Sequence, residues 1–376
     1  MHFFRNICRR SINFFIYLMK IQIKYVYLHV MKKEKSSIIF IVNPISGTHG
    51  KESVVELIEQ TLNHDEFDHR IIMTEYAGHA TEIATQCAKE GYDICAAVGG
   101  DGTVNEVARS LVHTNTALAI VPSGSGNGLA RHLCLPMDVK RAIEIINKRQ
   151  IESFDYGIIN GLPFFCTCGM GFDAFISLKF AEAGKRGPIT YVENVLKEGL
   201  NYKPETYIVE DESGTHHHKA FLIACANAAQ YGNNAYIAPG ASMKDGLMDV
   251  IIMEPFDVIE APKIAADLFA KTLSSNSRIK TFQASHIHIH RSAPGAIHYD
   301  GDPIMTSADI DVEMQPLGLK AIVNPDAIED EAQPNPMLNA FSDFFNNINN
   351  VREDIARGGH RIQILNKLML RKLSRL

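Results

Sequence analysis

The chain has 376 residues, 46% apolar and 21% charged, with a net charge of −6 and no tryptophan. That length holds two domains with sizeable cores, and the acidic balance argues against a general nucleic-acid binder. Seven cysteines, an odd number with no Cys-x-x-Cys pair, fit a reducing compartment and not a disulfide framework.

Residues 1–30 mix Arg5, Arg9, Arg10, Lys20 and Lys24 with an apolar run from Phe14 to Met19. The run is too short to span a bilayer, and no small-residue cleavage site follows it. Met31 is the expected physiological start, so residues 1–35 read as an N-terminal extension; a basic interfacial anchor is the functional alternative. Ile38 to Val42 then forms a continuous apolar run, as in a buried parallel strand. A helix is expected over 52–62, a strand over 70–74, a helix over 80–90, a strand over 94–98, a helix over 104–111 and a strand over 117–121. This alternation means β-α-β units and a doubly wound parallel sheet, an α/β domain over 36–154.

Near Phe154 the pattern changes. Short strands are expected at 164–168, 206–209, 220–226, 248–253, 285–290, 296–299, 310–314 and 319–323. They imply a mostly antiparallel β-sandwich domain over 155–325. Residues 326–376 read as a polar linker and a basic tail. Ile362, Leu365, Met369, Leu373 and Leu376 recur at helical spacing there, among Arg361, Lys367, Arg371, Lys372 and Arg375. Such a segment fits an amphipathic helix on anionic lipid, and equally a docking helix or a homodimer contact.

Two of the parallel strands run into unusual loops. One is Val98-Gly-Gly-Asp-Gly-Thr-Val-Asn-Glu106; the other is Pro122-Ser-Gly-Ser-Gly-Asn-Gly-Leu-Ala130. Glycines at a strand-to-helix turn let the backbone approach a phosphate with its amides aimed at it. Asp101 is out of place in a loop that only holds an anion; it points to a cation, or to a proton to be removed. Tight turns alone would also need glycines, but Asp101 and Asn105 are polar and sit at the sheet's ligand-binding edge. The pair therefore indicates nucleotide-dependent phosphoryl transfer. Gly47-Thr-His-Gly-Lys51 falls short of the usual phosphate-binding loop, with Ile45 where glycine is required and Glu52 after the lysine.

Other motifs read more plainly. Gly169-Met-Gly-Phe-Asp-Ala174 matches a dinucleotide fingerprint but lies in the β-rich half, so it reads as a structural turn shaping the cleft. His286, His288 and His290 alternate on a strand as a polar face, and His216 to His218 read as a solvated hairpin turn. Asp245-Gly246 and Asp300-Gly-Asp302 are Asp-Gly turns that could supply a second carboxylate.

Taken together, NPISG at 43–47, GGDGTVNE at 99–106, PSGSGNGLAR at 122–131, GMGFDA at 169–174, KDGLMDV at 244–250 and YDGDP at 299–303 resemble the diacylglycerol kinase catalytic-domain family, which includes bacterial lipid kinases, sphingosine kinases and ceramide kinases. The resemblance covers roughly 38–325, with the motifs in the family's order. It implies an ATP-dependent, magnesium-dependent lipid kinase, cytoplasmic and at the inner face of a membrane that presents its substrate. Asn43, Pro44, Ser46, Gly47, Thr74, Gly99, Gly100, Gly102, Thr103, Asn105, Gly124, Ser125 and Asn127 would then contact ATP, with Glu106 on the ribose or adenine side. Asp101 and Asp302 would be catalytic. Asp245 would hold magnesium with the carbonyls of Ser242 and Leu247, oxygen ligands that suit the ion.

Two departures stand out. The family usually has Glu where this chain has Asp302, and diacylglycerol kinases typically have Asp where it has Gly128. The second puts diacylglycerol itself in doubt as substrate. An NAD kinase-like phosphotransferase and a non-catalytic nucleotide-binding regulator are the rival readings.

Overall fold

The computed structural model describes residues 35–45, 51–183, 202–257 and 259–327. The expected N-terminal extension through residue 34, Ser46, Gly47 and the basic tail lie outside them. The chain opens with β1 (Ser36–Val42), α1 (Lys51–Thr61), β2 (Phe67–Met73), α2 (His79–Glu90), β3 (Ile94–Gly99), α3 (Asp101–Leu111) and β4 (Ala117–Pro122). The four strands are parallel in the order β2-β1-β3-β4. Every residue of β3 and β4 is buried, which is why these strands read as unbroken apolar runs.

The order reverses between β1 and β3, and the crevice at such a reversal is where open α/β sheets bind ligands. Two short helices follow, α4 (Gly128–His132) and α5 (Val139–Lys148). α1 packs with α5, and α2 with α3; the right-handed crossovers place these pairs on opposite faces of the sheet. Sequence reading assigns no element to α5, yet its signals are local. Asp138 caps it by accepting from the Arg141 amide at 2.9 Å, Arg149 ends it in a left-handed conformation, and Val139, Ala142, Ile143, Ile145 and Ile146 form its buried face.

The second half is the expected antiparallel sandwich. Its elements are β5 (Ile151–Ile159), β6 (Leu162–Phe164), β7 (Thr167–Gly171), α6 (Phe172–Ala183), β8 (Glu205–Asp211), β9 (Gly214–Ala220), β10 (Leu222–Ala226), β11 (Met248–Met253), α7 (Ala261–Phe269), β12 (Ile279–Ala284), β13 (His286–Arg291), β14 (Gly295–Tyr299), β15 (Asp302–Thr306) and β16 (Asp309–Ile322). One sheet has six strands in the order β12-β11-β10-β7-β14-β15. It faces β5, β6, β8, β9, β13 and the first half of β16 across a core that includes Cys168, Met170, Tyr207, Ile223, Val250, Ile289 and Val312.

Several expectations need correction. The strands expected at 310–314 and 319–323 are one strand, β16, whose register against β5 shifts between Gln315 and Leu319. Pro316 and Gly318 look like an interruption in sequence, but the chain absorbs them as a bulge. The strand expected at 220–226 is two strands of different sheets, with the chain crossing over at Phe221. The motif at 169–174 is not a turn: it is the end of β7 running into α6. His216 to His218 lie within β9, not at its turn.

β16 also ties the halves together. It pairs antiparallel with β5 and β13, and Ala321 pairs parallel with Leu118 of β4. The parallel layer and one face of the sandwich are thus a single ten-stranded sheet.

Candidate active site

The two glycine loops lie side by side at the carboxyl ends of β3 and β4. A Cβ on Gly124 would fall 2.5 Å from the Cα of Gly100, and one on Gly126 would fall 2.6 Å from Asp101 Oδ2. Only glycine permits this approach. Asp101 opens α3, and its carboxylate clamps the second loop: Oδ2 accepts from the Asn127 amide at 2.8 Å and Oδ1 from the Gly128 amide at 2.7 Å. Asn127, left-handed at φ 53, closes its own loop by accepting from the Gly124 amide and donating to the Gly124 carbonyl, at 3.0 and 2.8 Å.

Around them, the Asn43 amide side chain donates to Thr103 Oγ1 at 3.1 Å, so the turn containing Pro44 is fastened to the first glycine loop. The Thr74 amide donates to the Val42 carbonyl, at the neighbouring strand end. Gly102, in the first turn of α3, and Ser125, in the second glycine loop, are exposed. Glu106 accepts from the Gly78 amide at 3.1 Å and so holds the start of α2. Asn105 is 3% exposed, and its Nδ2 has no partner among the described residues. A buried amide without an acceptor costs stability unless a ligand supplies one.

Asp101, Asn105 and Arg109 follow one another at four-residue spacing on one face of α3. Arg109 carries that stripe to the sandwich. Its Nη2 lies 3.1 Å from Asp302 Oδ2, and its guanidinium stacks 4.5 Å over the Tyr299 ring. Asp302 is half-exposed.

Its neighbour Asp300, left-handed at φ 53, turns its carboxylate onto the amides of Phe165, Cys166 and Thr167 at 2.8, 2.7 and 3.1 Å. Burial pushes Asp300 up to about 6, against the downward pull of those amides and of Arg109. The 299–302 turn is held from behind as well. The Gly301 amide points to His298 Nδ1 at 3.4 Å, which leaves the imidazole proton on Nε2, 3.1 Å from Asp173 Oδ2. The Tyr231 hydroxyl reaches the same carboxylate oxygen at 3.4 Å.

The loop over 229–235 closes against the second glycine loop. The Asn233 amide and Arg131 Nε both donate to the Gly126 carbonyl, at 3.2 and 3.0 Å, and the Ala229 amide donates to His132 Nδ1 at 3.1 Å. Burial lowers His132 to about 4, so it stays neutral as an acceptor. A Cβ on Gly128 would meet the Tyr231 carbonyl at 3.3 Å, so a small residue at 128 lets this loop sit close.

Asp245 stands apart from these contacts. It is exposed in a turn, with Oδ1 accepting from the Leu247 amide at 3.0 Å and Ser242 Oγ accepting from the Lys244 amide at 3.2 Å. Buried Asp155 anchors that turn through the Gly246 amide at 2.7 Å. Burial, and to a smaller extent the charge of Asp245, hold Asp249 above the usual carboxylate range.

Sequence reasoning thus missed Arg109, Asp155, Asp173, His298 and the inward role of Asp300. Arg109 was within reach, two helical turns beyond Asp101. The others are partnered across more than a hundred residues, or lie in motifs that read as ordinary turns.

A doubly wound layer with paired glycine loops, one of them opening a helix that reaches a carboxylate-bearing turn of the sandwich through Arg109, is the architecture of a phosphotransferase. Residues 37–159 match the diacylglycerol kinase catalytic domain, and residues 167–323 match the YegS C-terminal NAD kinase beta sandwich-like domain. The chain belongs to the diacylglycerol kinase catalytic-domain family and is a lipid kinase. Among its relatives is the uncharacterized protein sll0036 of Synechocystis, 27% identical over 74% of this chain and 68% of that one. Another is a diacylglycerol kinase of Bacillus subtilis, 23% identical over 70% of this chain and 88% of that one. The crystal structure of a diacylglycerol kinase from Bacillus anthracis shares the fold, with a TM-score of 0.63 at 21% identity, covering 79% of this chain and all of that one. Among the described residues, no helix is long and apolar enough to cross a membrane.

Proposed function

We propose that the chain transfers the γ-phosphoryl group of ATP to the hydroxyl of a membrane lipid, with magnesium. The observation that carries this reading is the α3 stripe. Asp101 fixes the second glycine loop, Asn105 offers a buried donor without a partner, and Arg109 meets Asp302 on the facing turn. One helix thereby joins the second glycine loop to the carboxylate of the 299–302 turn.

The residues present fit both groups. The unpartnered Asn105 Nδ2 and the closely packed glycine amides suit phosphate oxygens. Asp245 keeps one carboxylate oxygen outside its own turn, and the carbonyls of Ser242 and Leu247 add hard oxygen donors. Magnesium would supply charge neutralisation on the phosphates.

The chain's own residues do the rest. The first-turn amides of α3 and those of Ser125 and Gly126 orient the phosphates, while the Gly124 and Asn127 amides hold the second loop in shape. Asp302, half-exposed and fixed by Arg109, accepts the proton of the attacking hydroxyl. Asp300, held by three amides, fixes the turn. The aromatic cluster of Phe172, Phe175, Tyr202, Phe221 and Phe256, with ring centroids 4.5 to 6.5 Å apart, borders Asp173 and offers an apolar wall for the lipid chain.

Labelled ATP and magnesium, offered with diacylglycerol, sphingoid bases, ceramide, an undecaprenol-type alcohol and NAD, test the reading. Label is expected in one lipid class. Label in NAD, or in none of the acceptors while ATP still binds, would overturn it.

A further inference from the structure

The opposite end of the parallel layer carries a cluster that phosphoryl transfer does not use. Glu59 lies in the last turn of α1, His64 in the turn that follows, and His69 on β2. Their ligand atoms all lie within 4.8 Å of one another. His69 Nε2 is 3.0 Å from Glu59 Oε1 and His64 Nε2 is 3.9 Å from Glu59 Oε2. His64 Nε2 also lies 2.8 Å from the Glu59 carbonyl. His69 pairs in register with Ile38, early in β1, whereas the nucleotide-side turn follows Val42 at the far end of that strand.

Three separate supports place these side chains. His69 is 17% exposed and meets the Phe40 ring edge-on at 6.5 Å. The Asn63 amide is anchored on Asn147 Oδ1 at 2.9 Å. Lys35 Nζ donates to the carbonyl of His64 at 2.6 Å, directing its charge at the backbone and away from the imidazole.

We propose that Glu59, His64 and His69 form a binding site for a borderline first-row divalent cation, with zinc as the reference ion. One carboxylate and two imidazoles are a ligand set zinc accepts in tetrahedral geometry, with water in the fourth position. Bonds of about 2.0–2.1 Å would draw neighbouring ligand atoms to roughly 3.3 Å apart. The present spacing reaches that by side-chain rotation, with His64 Nε2 exchanging the Glu59 carbonyl for the metal. Magnesium, which favours oxygen ligands, would not compete here, so this site and a magnesium site at Asp245 are chemically separate. Zinc would cross-link the end of α1 to β2, the edge strand of the sheet.

The test uses the full chain, stripped of metal and melted with zinc, with magnesium, and with neither. Zinc at about a hundredfold excess over its dissociation constant should raise the melting midpoint by about 3 °C, and magnesium should not. The double variant His64→Asn, His69→Asn should lose the zinc shift, bind one zinc fewer by equilibrium dialysis, and keep wild-type phosphoryl transfer. Each protein is compared with itself, so a lower starting midpoint in the variant does not blur the result. Dialysis separates this site from the histidines of β9 and β13. No zinc shift in the wild type, or an undiminished shift and stoichiometry in the double variant, would overturn the proposal.

Discussion

His132 and Asp300 are buried in opposite senses, and pH separates them. The unfolded chain takes up a proton at His132 near 6.5, the folded protein only near 4, so His132 removes stability as pH falls between those values. Asp300 does the reverse. Its folded value is about 6 against an ordinary 3.8, so the stability it contributes when protonated is lost as pH rises through that window. The two slopes oppose each other from about pH 6 to 4.

His132→Asn keeps an acceptor for the Ala229 amide and removes one of them. Its stability relative to wild type should therefore climb as pH drops from 6.5 to 4, by at most about 3 kcal/mol. Denaturant unfolding of both proteins across this range checks it; parallel stability curves would contradict it. The sequence shows an Asp-Gly turn at 300 and a histidine after a glycine loop. It does not show burial, because the amides of 165–167 and 229 that partner them come from elsewhere in the chain.

At the scale of elements, α3 does most of the positioning. Its first turn pins the second glycine loop, its middle buries Asn105, and its last turn reaches the sandwich through Arg109. Arg109→Met keeps an unbranched, largely apolar stem but removes the guanidinium that stacks over Tyr299 and leaves Asp302 without its cation. Turnover should fall at least about tenfold, equivalent to about 1.4 kcal/mol, while the KM for ATP changes little. Steady-state kinetics with ATP and lipid varied separately reads this split; unchanged turnover would show that the pair does not position the acceptor side.

The parallel strands were legible because burial on both faces leaves long apolar runs, and the glycine loops because their composition is unusual for a plain turn. α3 was expected to begin at Val104, three residues late, since two glycines and an aspartate at 100–102 read as loop. α6 was hidden by a motif that resembles a turn. The tie between β4 and β16 could not be read at all, because one parallel pair some two hundred residues apart leaves no local signal.

That tie governs the whole molecule. One sheet runs from β2 through β4 into β16 and on to β9, so the two halves meet through paired backbone as well as side-chain contact. Asp155, on β5, accepts from the Leu317 amide at the bulge of β16 and from the Gly246 amide of the Asp245 turn, both at 2.7 Å. The glycine loops, the 299–302 turn and the Asp245 turn are therefore held by one framework.

Single-turnover transfer from labelled ATP to lipid vesicles, with wild type and Asp101→Asn side by side, tests the proposed phosphoryl transfer most directly. Asparagine can accept from only one of the two amides that the Asp101 carboxylate holds, and it carries no charge. The variant should fold, as near-ultraviolet circular dichroism would show, yet lose at least about a hundredfold in transfer rate, roughly 3 kcal/mol of barrier. A folded Asp101→Asn protein that labels lipid at close to the wild-type rate would contradict the account.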